Sequence, residues 1–266
     1  MPRLGDVALV TGGAGQIGRA IASALLSAGM KVALCDIQPT SRWSDEAQEF
    51  LAANDKRVST HLLDVTETES CDAVAREVAR RQGRINVLVN NAGVMVRKTV
   101  LATSDDDWDW VLDVNLGGAF KMCRAVHAHL VRSPKPAVVN VASTHALRPA
   151  SDVAAYAVSK AGMVHLTRIL ALEWAVDGIR VNAIAPSIVA TDMTADLRRK
   201  PGEFEKRVSR IPLGRSVSAE NVAQGVRFLA CDEASLVTGD VLVVDGGELV
   251  GQATLNAPAV DSAGGA

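Results

Sequence analysis

From Val7 to Val244, short β-branched runs alternate with longer stretches of helical periodicity, and this alternation is the strongest constraint on the chain. Antiparallel neighbours can be joined by a tight turn, whereas parallel ones need a crossover of a dozen or more residues, usually a helix. Val7–Val10 is an apolar run ending in Thr11-Gly12-Gly13, a strand and its turn. Ile17 to Ala28 then carries Ile21, Leu25 and Leu26 at helical spacing, and Gly29 is a natural stop. Lys31–Asp36, Val58–Asp64, Ile85–Asn90, Ala137–Ala142, Ile179–Ile184 and Val241–Val244 read as further strands. Helices are predicted over 44–54, 67–82, about 105–132 and about 153–176. Ile85–Asn90 is nearly all apolar, as expected of a strand covered on both faces. The pattern predicts an α/β fold with a parallel sheet of seven strands and right-handed crossovers.

No Pro/Ser-rich linker, composition shift or fixed-period repeat divides the pattern, so residues 1–250 read as one domain. A chain of 266 residues buries roughly three-quarters of its unfolded surface and needs no disulfide or metal staple. The tail, 251–266, is small, polar and Gly-rich, and is expected to be loosely ordered unless a partner subunit holds it. Lys and Arg total 28 against 30 Asp and Glu, a net charge of −2 that gives no reason to expect a nucleic-acid or membrane partner. The N-terminus has no apolar signal core and no run reaches the ~18 apolar residues of a span, so a cytoplasmic protein is expected. Cys35, Cys71, Cys123 and Cys231 lie far apart and read as buried thiols. His127 and His129 are two apart on a helix, face different ways and make a poor metal pair; no metal is expected. The charged segment 192–210, which contains Lys200-Pro201-Gly202, reads either as a lid beyond a strand end or as a solvated helix pair.

Thr11-Gly12-Gly13-Ala14-Gly15-Gln16-Ile17-Gly18 follows the first strand and opens the first helix. A glycine turn in that place lets backbone N–H groups approach a pyrophosphate, which also gains from the positive end of the helix dipole. By itself the spacing is also that of any tight strand–helix turn. Here the second strand ends in Asp36, 18 residues after Gly18. An acid ~20 residues on is placed to accept from a ribose 2′-hydroxyl, and it would repel a 2′-phosphate. Ile37 beside it supplies no cation, so the expected cofactor is NAD rather than NADP; Arg19, on the first helix turn, argues slightly the other way. The fold expected is a doubly wound Rossmann type with helices on both faces of the sheet.

Tyr156, the only tyrosine in the chain, and Lys160 are four apart on one predicted helix and share a face. Phenol, with a reference pKa near ~10, is too weak an acid to supply a base at neutral pH unless nearby cations stabilise the phenolate. Lowering it by ~3 units takes about 4 kcal/mol, within reach of a partly buried site with two cations. Taken alone, a surface Tyr and Lys on an amphipathic helix would fit the spacing as well.

The residues do not stand alone. The glycine turn, Asp64-Val65, Asn90-Asn91-Ala92-Gly93, Asn115, Ser143, Tyr156-Ala-Val-Ser-Lys160, Asn182-Ala-Ile-Ala-Pro186 and Val243-Val244-Asp245-Gly246-Gly247 together resemble the short-chain dehydrogenase/reductase family, in its compact single-domain branch. The resemblance runs from Val7 to about Gly247. It implies an oxidoreductase that moves hydride between a nicotinamide and a secondary alcohol or ketone. It assigns Tyr156 as general acid/base, Lys160 as the group that lowers its pKa and holds the nicotinamide ribose, and Ser143 as the hydrogen-bond partner of the substrate oxygen. Asn115 would hold a water linking Lys160 to solvent. Gly12, Gly15, Gln16, Ile17 and Gly18 would cradle the pyrophosphate, and Asp64 and Val65 would contact adenine. Asn90, Asn91, Ala92 and Gly93 would line the adenosine side, and Pro186, Val189 and Thr191 would flank the carboxamide. A homotetramer is implied as well, with the two long helices packing across subunits and Ala161, Gly162, Val164 and Leu172 forming a close-packed outer face.

Three positions depart from the family pattern. Gln16 stands where the middle glycine of the turn belongs, with Gly15 displaced by one, a spacing used by the longer, epimerase-like branch. Ala142 replaces the first serine of a frequent pair, and Ser187 stands where glycine often follows the proline. Substrate contacts are expected from Arg97, His145, Arg148 and Ser187 in the loops beyond the strand ends. An arginine there would pair a substrate carboxylate in bidentate fashion, and Arg97 in Gly-Val-Met-Val-Arg-Lys is similar to sugar-acid dehydrogenases of the family; surface or subunit contacts are the alternative. Three classes follow: an NAD-linked dehydrogenase, with a 3-oxoacyl-carrier-protein reductase as its main rival; a nucleotide-sensing protein without turnover; and an epimerase, which usually adds a substrate domain for which 266 residues leave no room.

Overall fold

A computed structural model of the chain describes residues 3–251. The expected tail beyond Gly251 lies outside the described residues. Seven strands, β1 (Val7–Thr11), β2 (Lys31–Asp36), β3 (Val58–Leu62), β4 (Val87–Asn90), β5 (Ala137–Val141), β6 (Arg180–Pro186) and β7 (Val241–Val244), form one sheet in the order β3-β2-β1-β4-β5-β6-β7. Every neighbouring pair is parallel. The strand order reverses between β1 and β4, and a crevice opens beyond the carboxyl ends of strands at such a point. The glycine turn after β1 and the Asn91–Gly93 loop after β4 both meet there.

Alternation along the buried strands divides the core into two layers. Ala8 and Val10 of β1 and Val32 and Leu34 of β2 face α1 (Gln16–Ser27), α2 (Asp45–Ala53) and α9 (Ala219–Ala230), where Ile21, Leu25, Val222, Val226 and Leu229 close the layer. Val7 and Leu9 face the opposite way. With Leu88 they pack against Val74 and Val78 of α3 (Thr68–Gln82), Met122 and Val126 of α5 (Gly118–Leu130) and Leu170 of α6 (Ala154–Glu173).

The predicted helix 105–132 is interrupted. It runs as α4 (Asp105–Leu112), a π turn over Asp113–Gly117, and α5. The wide turn puts Asn115 wholly inside, where its amide bonds both ways with the Val94 backbone. A π turn of this kind is often found at functional sites. α9 was absent from the sequence reading although Ser218 and Asn221 form a capping box before it. The predicted outer face of α6 is corrected in part: Ala161 and Leu172 are exposed, whereas Val164 is buried and Gly162 packs against Leu116. Val158, Ile169 and Leu172, continued by Val176 in the turn after α6, form the exposed apolar side instead. The segment 192–210 folds as a single turn over Asp192–Thr194, then α7 (Ala195–Arg199) and α8 (Glu203–Val208). No described helix is long and apolar enough to cross a membrane.

Candidate active site

The glycine turn is held open by backbone packing. Gly12 sits at φ +66, a conformation side chains resist, and a methyl there would press on Ala92 at 2.9 Å. At Gly18 a methyl would collide with the Gly12 carbonyl. Gly15 has no such neighbour; the nearest atom is 3.6 Å away, so the displaced glycine leaves room over the turn without being needed by the packing. Gly15 is the N-cap of α1 and offers no side-chain cap, so the leading N–H groups of the helix are left for an anion. Gln16 begins α1 and is exposed, lining a separate surface hollow with Arg19 and Glu46, while Ile17 faces the main cavity. Asn91 fixes the turn to the end of β4: its Nδ2 donates to the carbonyls of Thr11 (2.9 Å) and Gly12 (3.1 Å). The Thr11 hydroxyl accepts from the backbone N–H groups of Asn91 and Ala92, both at 3.0 Å. Asp36 is tied to the same turn, Oδ2 accepting from Ala14 N–H at 2.9 Å and Oδ1 from Gln38 N–H at 3.1 Å. The uncapped helix start and the side-chain-free turn fit a dinucleotide diphosphate.

Two of the residues expected on the adenosine side also make hydrogen bonds within the protein. The Asp64 carboxylate accepts from Thr66 N–H (2.9 Å) and Oγ1 (2.6 Å), shaping the turn into α3. The Asn90 side chain is buried and turned away, donating to Asn140 Oδ1 at 2.8 Å, and Asn140 donates in turn to Thr167 Oγ1 at 2.9 Å. This chain of hydrogen bonds joins β4, β5 and α6. Val65 is buried in the α3/α5 layer.

Beyond β4, β5 and β6 lies a cavity of about 470 Å³ lined by Gly93, Arg97, Ser143, His145, Tyr156, Lys160, Pro186, Ser187, Val189 and Thr191, among others. One turn of α6 brings Tyr156 and Lys160 to the same wall. Lys160 is buried and donates to the Val141 carbonyl at 2.8 Å; burial pushes its pKa down to about 8. Its Nζ lies 5.8 Å from the centre of the Tyr156 ring. Burial raises the Tyr156 phenol above its ordinary value, and the Ser143 hydroxyl and the Arg97 guanidinium pull it back down. The Ser143 hydroxyl is oriented by accepting from His145 N–H at 3.2 Å. Asn115 donates to Ser159 Oγ at 2.9 Å, and Ser159 donates to the Tyr156 carbonyl at 2.7 Å. Asn115 Oδ1 and Lys160 Nζ flank Gly93, 3.2 and 3.4 Å from where a methyl on that glycine would stand.

The remaining substrate candidates divide. Arg148 is committed to Glu248: one guanidinium nitrogen donates to the Glu248 carbonyl at 2.9 Å and another to its carboxylate. Ser187 Oγ donates to the other carboxylate oxygen. Glu248, which sequence reasoning passed over, therefore ties the chain after β7 to both loops. His145 stands edge-on to Tyr156 with ring centres 6.2 Å apart. Burial lowers its pKa, and Arg207, Arg97 and Arg148 press it further down against the pull of Glu248. Arg97 is half-buried in the cavity. Ala142 is buried against Met163 and Val164. Val189 pairs with Val217, and Thr191 N–H donates to the Val189 carbonyl at 3.0 Å, closing the loop after β6. Among the described residues no three His, Cys, Asp or Glu side chains gather to hold a metal.

The chain is similar to known proteins over most of its length. A family model described as Enoyl-(Acyl carrier protein) reductase matches residues 12–248. A 3-oxoacyl-[acyl-carrier-protein] reductase of Thermotoga maritima is 37% identical over 246 residues, covering 92% of this chain and 98% of that protein. A D-threitol dehydrogenase of Mycolicibacterium smegmatis is 39% identical over 248 residues, covering 91% and 92%. A crystal structure from Beutenbergia cavernae, described as that of an NAD(P)-dependent gluconate 5-dehydrogenase with NADP at low occupancy, superposes with a TM-score of 0.87 at 37% identity, covering 94% of this chain and 100% of that one. A nicotinamide cofactor is common to this group, and the turn fits its diphosphate. The chain belongs to the short-chain dehydrogenase/reductase family of oxidoreductases.

Proposed function

We propose that the chain is an NAD-preferring dehydrogenase interconverting a secondary alcohol and a ketone on a small sugar acid or hydroxy acid. The observation that carries this reading is the convergence of Ser143, Tyr156, Lys160 and a half-buried Arg97 on one cavity. In the oxidising direction Ser143 Oγ holds the substrate hydroxyl, and Tyr156 Oη receives its proton. When bound, a nicotinamide would supply the redox chemistry, as acceptor of the hydride from the carbinol carbon. Lys160, one helical turn from Tyr156, lowers the cost of the phenolate, and a water held by Asn115 would link Lys160 to solvent as the route by which the proton leaves. Arg97 lowers the cost of the phenolate and is also within reach of a substrate carboxylate. His145, whose pKa burial holds down, and Ser187 supply polar contacts for further hydroxyls.

The preference for NAD rests on Asp36, whose carboxylate the turn holds at the end of β2; the Beutenbergia relative carries NADP, so cofactor choice is read from this chain's own residue. A 3-oxoacyl-carrier-protein reductase is the second reading, favoured by the Thermotoga relative, and Asp36 opposes the NADPH such an enzyme uses. The exposed apolar side of α6, with Phe120 of α5, supports the homotetramer. A stable, active monomer in light scattering would overturn the assembly. The function is tested by following reduced nicotinamide while the protein is offered sugar acids, polyols, 3-hydroxyacyl thioesters and hydroxysteroids with NAD and with NADP. Turnover on anionic sugars with NAD is expected. Turnover confined to thioesters with NADP would transfer the chain to the second reading, and cofactor binding without any turnover would make it a sensor.

A further inference from the structure

The cavity carries more positive charge than the Tyr156 chemistry uses. Arg97 enters from the loop after β4, and Lys206, Arg207 and Arg210 enter from α8 and the turn that follows it. Lys206 and Arg210 are exposed, whereas Arg97 and Arg207 are half-buried. Among the described residues neither of those two forms an ion pair. Arg148, on the same cavity, is already neutralised by Glu248. Asp152 and Asp196 lie near enough to favour the charged Arg97, but after burial its strongest influence is repulsion from Arg207. Both guanidinium groups also act on His145, while only Arg97 acts on Tyr156. Arg97, on the loop after β4, and Arg207, on α8, line the cavity onto which Tyr156 opens. Two half-buried like charges facing one space are relieved when an anion enters between them. α8 forms one side of that space. It lies between Gly202 (φ +74) and Gly214 (φ +68), and neither has any atom within 4 Å of where a side chain would start.

We infer that Arg207 of α8, facing Arg97, forms the second jaw of a clamp for the substrate's carboxylate, so that the lid closes on the charge of the substrate. This rests on the carboxylate-bearing substrate of the preceding subsection and places that carboxylate on the lid side, away from Tyr156. It makes Arg207 a specificity-determining residue outside the proton-transfer set.

The test offers the NAD-loaded enzyme D-gluconate and its uncharged counterpart D-glucitol. Amide exchange across 203–210 is measured by mass spectrometry, alongside steady-state kinetics. Gluconate, and not glucitol, is expected to slow exchange. Arg207→Gln should remove that protection and raise the gluconate KM roughly ten- to a hundredfold, with kcat, NAD affinity and glucitol kinetics unchanged. Arg207→Lys should restore part of the loss. Gluconate that slows exchange without turning over supports the clamp and refutes only the choice of acid. Equal protection by both probes, or an unmoved gluconate KM in Arg207→Gln, overturns the clamp while leaving the dehydrogenase reading intact. An enzyme that turns over neutral alcohols and shows no gluconate protection overturns both.

Discussion

At the glycine-turn end of the cavity nearly every polar group is already held by another part of the chain, whereas at the lid end charges stand uncompensated. Asn91, Thr11 and Asp36 are all bonded to backbone around the turn. Arg97 and Arg207 line one cavity, and among the described residues neither forms an ion pair. A site that receives one unvarying ligand gains from having its donors fixed in advance, since no ordering cost falls on binding. A site that must distinguish among alcohols gains from leaving its strongest charges to be satisfied by the right substrate alone. Lys160 and Tyr156 lie where the two regimes meet, and both are desolvated by burial before any ligand arrives.

The comparison breaks first at Tyr156. Tyr156→Phe removes one oxygen from the boundary and leaves both ends intact, so NAD affinity should be unchanged while kcat falls about a thousandfold. Retention of most of the activity would show that the acid/base is elsewhere. At the locked end, Gly18→Val drives a side chain into the Gly12 carbonyl. Overpacking of that kind costs about 1–3 kcal/mol of stability, and NAD affinity should fall roughly tenfold or more as the turn is displaced; thermal unfolding and cofactor titration read the two separately. A variant that melts normally and binds NAD normally would mean the turn is looser than its packing indicates.

Lys160→Met sharpens the boundary itself. The native ammonium loses its proton near pH 8, while an unfolded lysine keeps it to 10.5. Below pH 8 the cost of burying the charge, about 3 kcal/mol, is present in full. Between 8 and 10.5 the unfolded chain binds more protons than the folded one, so the wild type gains stability as pH rises. The methionine variant has no such proton. It should therefore be more stable than the wild type at pH 7, by less than the full cost because the bond to the Val141 carbonyl is lost, and that advantage should shrink toward pH 10. Turnover should be abolished throughout. Urea unfolding of the cofactor-free proteins at the two pH values checks this, and a variant less stable than wild type at pH 7 would show that the lysine is not strained by its burial.

What could be read from the sequence follows the same division. β2 and β7 lie where the apolar runs placed them, since turn residues bound both. The glycine turn, Asp36, Tyr156 and Lys160 are local patterns with local consequences. The π turn was hidden because Val111, Met122, Val126 and Leu130 keep a buried face on either side of it, and what draws Asn115 inward is a pair of bonds to Val94, 21 residues away. The outer face of α6 was misread because that helix is buried around much of its circumference, from Ser159 and Lys160 through Met163, Val164 and Thr167. Arg97 and Arg148 looked alike as carboxylate partners. They separate only through Glu248, 100 residues further along the chain from Arg148. Arg207 carried no signal beyond belonging to a charged segment.

Asp36→Ala produces the smallest of these effects and bears most directly on the locked end. The carboxylate does two things at once: it caps the turn through Ala14 N–H and Gln38 N–H, and it faces the place where a ribose 2′ substituent would come. Removing it withdraws a hydrogen bond from NAD and a repulsion from NADP, so the ratio of kcat/KM for the two cofactors should move toward NADP by roughly tenfold or more. Asp36→Asn separates the two duties. The amide oxygen can still accept from one of the turn amides while the negative charge is gone, so a shift in the ratio equal to that of Asp36→Ala would assign the preference to charge. If only the alanine variant shifts, the preference comes from the shape of the turn. If neither does, the choice of cofactor is made by other residues, and the locked end is specific for a dinucleotide without being specific for NAD.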